Sequence, residues 1–274
     1  MRLVLLLKAI LLLGVFPAAA KDSQLTPLRT ADDSRGWEAV GQLDIGGRGF
    51  CTGALIAPDL VLTAAHCLFD QVTGERLDHR NIQFLAGWRN GRAQSYREVR
   101  RAVIHPSYTY DVGVGGGRIQ NDLAILELIR PIRDTRIQPF QTDVRPRKGS
   151  KVGVVSYAHD RSEAPSIQEV CYVLARRSGT LVLSCEVDFG SSGAPIFVID
   201  DEQPKIVSVV SAMAEIDGRS VSIGTDLHGP LKALLAELSA GEGYWPEDVQ
   251  NIRRLSNGAN NNNRRNIGAN FQKP

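Results

Sequence analysis

From about Gly36 the chain is a succession of short apolar-rich runs without helical periodicity: Trp37–Leu43, Gly53–Ile56, Leu60–Ala64, Ile82–Ala86, Arg97–Ile104 and Asp122–Leu128. Turn formers separate them, among them Gly46-Gly47, Pro58-Asp59 and Asn90-Gly91. Gly and Asn tolerate positive φ and Pro pre-sets a negative one, so such pairs reverse the chain. Six short strands predict a compact barrel, which closes a sheet without leaving edges. Residues 131–150 carry three prolines and little periodicity, and read as a crossing. A second set of runs follows: Lys151–Tyr157, Ile167–Leu174, Thr180–Cys185, Ala194–Ile199, Ile206–Met213 and Val221–Thr225. The doubled pattern predicts an all-β chain with an N-terminal unit over residues 36–135 and a second over 150–240. Leu227–Leu238 is the exception, because Leu231, Leu234, Leu235 and Leu238 fall on one face of a helix.

The ends read differently. Residues 1–20 have the form of a secretory signal: Arg2 and Lys8 supply charge, Ala9–Phe16 is almost wholly apolar, and Ala18-Ala19-Ala20 offers a cleavage site. That apolar run is shorter than the roughly 20 residues that span a bilayer, and no other candidate span follows. The expected product is soluble and exported, either secreted or periplasmic. Lys21–Arg35 is polar and reads as a flexible leader or propeptide. The stretch 251–274, with Asn260 to Asn263, is too polar to bury a core and is expected to be disordered.

Composition changes this picture little. The chain is 43% hydrophobic and 23% charged with a net charge of +2, a balance that does not point to nucleic acid. The four cysteines, Cys51, Cys67, Cys171 and Cys185, all lie in the exported part, and disulfides are expected. Three pairings are open on spacing alone. No Cys-x-x-Cys or paired Cys/His spacing occurs, so no metal is expected.

Three stretches carry candidate chemistry. Asp188-Phe189-Gly190-Ser191-Ser192-Gly193-Ala194-Pro195 crowds small residues about a hydroxyl, leaving open space for a substrate above the backbone. The amides of Gly190 and Ser192 are placed to point into one small volume and hold an oxyanion. Upstream lie Thr63-Ala64-Ala65-His66-Cys67 and Asn121-Asp122-Leu123-Ala124-Ile125-Leu126. A serine hydroxyl needs a base, and the base needs an acid that fixes its tautomer. These three ordered motifs resemble those of the trypsin/chymotrypsin-like serine peptidases over roughly Trp37 to Leu238.

That resemblance implies two six-stranded antiparallel β-barrels with a C-terminal helix and an active site between the barrels. It implies His66 as base, Asp122 as its orienter and Ser192 as nucleophile, with the adjoining Ser191 as the rival. It implies a Cys51–Cys67 bridge beside the base, which leaves Cys171 with Cys185 across a hairpin. His105, in His-Pro-x-Tyr, matches a structural turn of relatives, and His228 is expected at the start of the helix. The partner implied is a protein or peptide substrate, cleaved by a monomer with no cofactor, nucleic acid or membrane.

The chain also departs from the animal digestive members. The hydrophobic Ile-Val-Gly-Gly terminus is absent, and Ser191 stands where those members carry an aspartate that pairs with it. Bacterial members resembling the glutamyl endopeptidases lack that aspartate too, and the chain looks closer to them. Their histidine for acidic side chains is not evident, with Val210 in its neighbourhood. Glu186 lies six residues before Ser192. It is either an acid at the base of a specificity pocket or a solvated loop residue. Ser211-Ala212-Met213 aligns with the segment that pairs with substrate backbone, with Met213 narrowing the entrance. A non-catalytic binding protein on the same fold is the alternative to the enzyme.

Overall fold

The structure, a computed structural model, describes residues 22–110, 119–143, 146–177, 179–199 and 203–243. The expected signal over 1–20 and the expected tail over 251–274 lie outside these residues. Among these residues fourteen strands, three short 3₁₀ turns and one α-helix follow in order. The first barrel closes through β2 (Val40–Ile45), β3 (Phe50–Ala57), β4 (Leu60–Thr63), β7 (Ala124–Leu128), β6 (Ser95–Ile104) and β5 (Ile82–Ala86). The second closes through β9 (Lys151–Ser156), β10 (Ser166–Arg177), β11 (Thr180–Leu183), β14 (Arg219–Asp226), β13 (Lys205–Ile216) and β12 (Pro195–Val198), which returns to β9. All ring pairings are antiparallel. Each predicted run falls on one of these strands, with its ends moved by a few residues. Two short strands lie outside the rings: β1 (Thr26–Pro27) on β10, and β8 (Gln141–Thr142) parallel to β13.

One apolar cluster spans both barrels, and a second lies inside the second barrel. Trp37, Phe140 of the crossing and Phe197 of β12 meet with ring centroids 4.8 to 5.9 Å apart. Such pairs contribute about 0.5–1.5 kcal/mol each beyond burial. The crossing also buries Ile132 and Ile137. The helix α1 (Pro230–Ser239) starts at a proline, which suits the first turn because its missing N–H has no partner there. Leu231 and Leu234 are buried, whereas Leu235 is 38% exposed, so the apolar face is narrower than expected.

One expectation fails. The stretch 22–35 is not a flexible leader but lies along the second barrel. The Ser23 amide donates to Val170 O, the Leu28 amide donates to Pro165 O, and Leu28 is buried. Backbone pairing, which no side-chain pattern advertises, holds it there.

Candidate active site

Register brings Asp122 and His66 together. Thr63 at the end of β4 pairs with Ala124 at the start of β7. The 3₁₀ turn Ala65–Leu68 follows the first strand, and Asp122 precedes the second, so both sit at one end of the barrel. Asp122 is 2% exposed. Its Oδ1 accepts from the His66 backbone amide at 2.8 Å, and its Oδ2 lies 2.7 Å from His66 Nδ1. A carboxylate only accepts, so Nδ1 carries the proton and Nε2 presents a lone pair. Thr225 Oγ1 of β14 donates to Ile119 O at 2.6 Å and lies 3.3 Å from the Asp122 carbonyl, which ties this corner to the second barrel.

Ser192 lies in the loop entering β12 and lines, with His66, two cavities on either side of it. Every carbonyl of this loop is engaged. Asp188 O accepts from Ser191 N, Phe189 O from His159 N, Ser191 O from Ala194 N, and Ser192 O from Thr52 N, at 2.8–2.9 Å. Gly190 O accepts from Thr52 Oγ1 at 2.9 Å. The amides of Gly190 and Ser192 donate to no group among the described residues. Two free donors remain beside the hydroxyl. Glycine is required at both flanks. Gly190 has φ +95°, and a Cβ there would lie 2.4 Å from the Phe50 ring. Gly193 has φ +79°, and a Cβ would lie 2.1 Å from Thr63 Oγ1.

The rival Ser191 faces inward. It is fully buried, its hydroxyl donates to Tyr157 O at 3.0 Å, and it accepts from Asp188 N at 3.2 Å. Arg161 Nη2 lies 3.4 Å from the same oxygen and donates to Ser156 Oγ at 3.2 Å. Thr52 and Arg161 are parts of this loop's framework that sequence reasoning missed. Thr52 adjoins Cys51, and that proximity is its one sequence signal.

Of the candidate substrate-binding residues, Ser211 and Met213 line the cavity that also holds Val187, Val210 and Ala212. Ser211 Oγ is 2.8 Å from Thr225 Oγ1, whereas Met213 stands 43% exposed at the mouth. Gly193 N donates to Val210 O, and beyond that residue β13 pairs only with β14 among the described residues. Its other edge is open. Glu186 is not brought to the cavities: it is exposed, and its amide donates to Gln168 Oε1. Cys51 is bonded to Cys67, and Cys171 to Cys185. The cluster Cys51, His66 and Cys67 has metal-ligand spacing, but both sulfurs are consumed by the bridge and offer no thiolate. His105 turns the chain as expected, with the Tyr108 amide donating to its carbonyl.

Comparison with known proteins gives this geometry a family. The chain is 26% identical over 164 residues to Limulus clotting factor C of Carcinoscorpius rotundicauda, covering 55% of the chain and 15% of that protein. It is 37% identical over 90 residues to human cathepsin G (33% of the chain, 31% of that protein). It is 25% identical over 150 residues to the glutamyl endopeptidase of Bacillus licheniformis (54% of the chain, 45% of that protein). The matched stretches thus span less than half of each of these relatives. A solved structure of a Glu endopeptidase in complex with MPD superposes with a TM-score of 0.63 at 17% identity, covering 80% of this chain and 97% of that one. The Trypsin family pattern matches residues 29–223, most of the chain, and the chain belongs to the Trypsin family.

Proposed function

We propose that the chain is an exported serine endopeptidase that cleaves peptide bonds through an acyl-enzyme. The observation that carries this reading is the buried Asp122–His66 pair, which leaves Nε2 as a base in the cleft that Ser192 shares. In the proposed reaction Ser192 Oγ attacks the scissile carbonyl while His66 Nε2 takes its proton. The imidazolium that forms is stabilised by Asp122 and then protonates the leaving amine. The carbonyl oxygen, as it becomes anionic, accepts from Gly190 N and Ser192 N. Donors already aimed at the developing charge need no reorganisation, and one such donor is worth roughly 10²–10³ in kcat. Water repeats the sequence on the acyl-enzyme.

The open edge of β13 supports an extended peptide as substrate, added as an antiparallel strand beside Ser211 and Met213. Cavities on both sides of Ser192 support cleavage within a chain rather than at its end. The glutamyl preference named for one relative is not carried over: among the described residues no Lys or Arg lines the cavity beside Val210. The two disulfides support export. The test is labelling by a fluorophosphonate, which forms a covalent adduct with an activated serine. Labelling should vanish in Ser192→Ala and persist in Ser191→Ala; retention in Ser192→Ala would remove the proposal.

A further inference from the structure

The loop that presents Ser192 is gripped from one side by the turn that follows β9. That turn closes on itself, with Arg161 N donating to Ala158 O at 3.0 Å. It meets the loop at three points. His159 N donates to Phe189 O, Tyr157 O accepts from Ser191 Oγ, and Arg161 Nη2 lies 3.4 Å from Ser191 Oγ. The packing is close, since a Cβ on Gly190 would stand 3.2 Å from Ala158 Cα. Two of the three contacts are made by the turn's backbone. The third is made by a side chain, and that side chain is charged.

A serine hydroxyl has one proton and two lone pairs. In Ser191 the proton goes to Tyr157 O, one lone pair accepts from Asp188 N, and the other faces Arg161. The hydroxyl thus fastens the start of the loop to the turn, while the Ser191 carbonyl accepts from Ala194 N at the loop's end. The peptide units that carry Gly190 N and Ser192 N lie between these fastenings.

For stability alone Arg161 is a poor choice. Its side chain is 13% exposed, and Nε is buried without a partner among the described residues. The carboxylate of Asp160, 2.9 Å from Nη1, is 63% exposed and stays hydrated without it. A guanidinium taken out of water loses more than so exposed a pair returns, and an apolar side chain of similar size would cost less.

We propose that Arg161 is a positioning residue: through Ser191 Oγ, its guanidinium keeps the two free amides on one target as the transition state forms. This rests on the peptidase reading above. The planar fork matters as well as the charge. Nη2 reaches Ser156 Oγ and Ser191 Oγ while Nη1 reaches Asp160, so one rigid plane spans three anchors. A lysine ammonium is a single point on a flexible stem and cannot hold all three.

The experiment uses the full chain, a peptide nitroanilide and a fluorophosphonate, with kcat expressed per labelled serine so that unfolded molecules drop out. Arg161→Met should lower kcat about tenfold with KM within about twofold, the pattern of an interaction made in the transition state alone. Its thermal midpoint should stay within about 4 °C of the wild type. Arg161→Lys should recover only part of the rate. In Arg161→Gly, methylguanidinium but not methylammonium should raise kcat at least about fivefold, because only the former restores the fork. An unchanged kcat in Arg161→Met, beside an active wild type, overturns this inference alone. So does equal rescue of Arg161→Gly by methylammonium, since charge without the fork would then suffice. Should Arg161→Met not fold, the Lys and Gly variants decide between the same two results. A wild-type chain that turns over no nitroanilide and takes no fluorophosphonate overturns the peptidase reading, and this inference with it.

Discussion

Thr52 offers the sharpest test of how the candidate oxyanion site is built. It is fully buried on β3, and its hydroxyl donates to Gly190 O at 2.9 Å while accepting from Tyr157 N at 3.2 Å. Thr52→Val keeps the shape and removes the hydroxyl. Two buried backbone groups then lose their partner, each costing about 1–3 kcal/mol, so the stability loss should be about 2–6 kcal/mol. The consequence for catalysis follows from which peptide is released. Gly190 O belongs to the peptide between the two that carry the free amides of Gly190 and Ser192. Freed from Thr52, that peptide can rotate, and both donors drift from a shared target. If half of one donor's worth is lost, kcat should fall roughly 10- to 30-fold, with KM changing less than threefold. Thr52→Ser retains the hydroxyl and should recover most of the rate. Steady-state kinetics on a nitroanilide gives the split, and thermal unfolding gives the stability. An unchanged kcat in Thr52→Val, with the expected loss of stability, would show that the loop holds its shape without this strut.

Three further outcomes are expected. Gly193→Ala must place a methyl within 2.2 Å of Thr52 O at φ +79°, so expression of folded protein should fall sharply; soluble, active Gly193→Ala would contradict the packing described. Burial holds the His105 imidazole below its ordinary pKa, partly offset by Glu237, and its Nδ1 accepts from Ser107 N. The unfolded chain therefore binds the proton first, and stability should fall as pH drops below about 6.5, a loss that ends once folded His105 protonates; melting between pH 7 and 5 should shift less in His105→Gln. A chain beginning at Gly36 should lose about 2–3 kcal/mol, because Leu28 is uncovered and β10 loses a partner, and denaturant unfolding of the two forms reads the difference.

What was legible in the sequence was local chemistry. The turn after β4 and the loop before β12 advertise themselves because small residues are required on the spot, as the contacts of a Cβ at Gly190 and Gly193 show. The strands were legible because apolar runs between turn formers have few other uses. Contacts set by long-range register were not. Thr52 meets Gly190 across 138 residues, and its place beside Cys51 does not reveal that its hydroxyl holds a loop of the other barrel. Glu186 has a suggestive spacing to Ser192, yet its direction depends on a turn in which Gln168 holds its amide, and the side chain points to solvent. The stretch 22–35 was read as flexible for the same reason: the backbone pairing and the bonds of Asp22, Ser23 and Ser34 that order it all reach partners distant in the chain.

The replacement of an aspartate by Ser191 acquires a physical meaning in this setting. A charged side chain at that position needs a cation from outside the loop, and a chain terminus can supply one. Here the same space already holds a cation of the chain's own. Arg161 has its side chain 13% exposed, Nη2 against Ser191 and Ser156, and Nη1 paired at 2.9 Å with Asp160, which is itself 63% exposed. An inserted ammonium at this position would meet the Arg161 guanidinium beside Ser191, which carries no charge to receive it. The loop has no need of it, since all its carbonyls from Asp188 to Ser192 accept from donors within the described chain. The expected outcome is that the two amides beside Ser192 serve without a terminus-dependent switch, and similar turnover from chains beginning at Gly36 and at Gly36 behind one extra residue checks it.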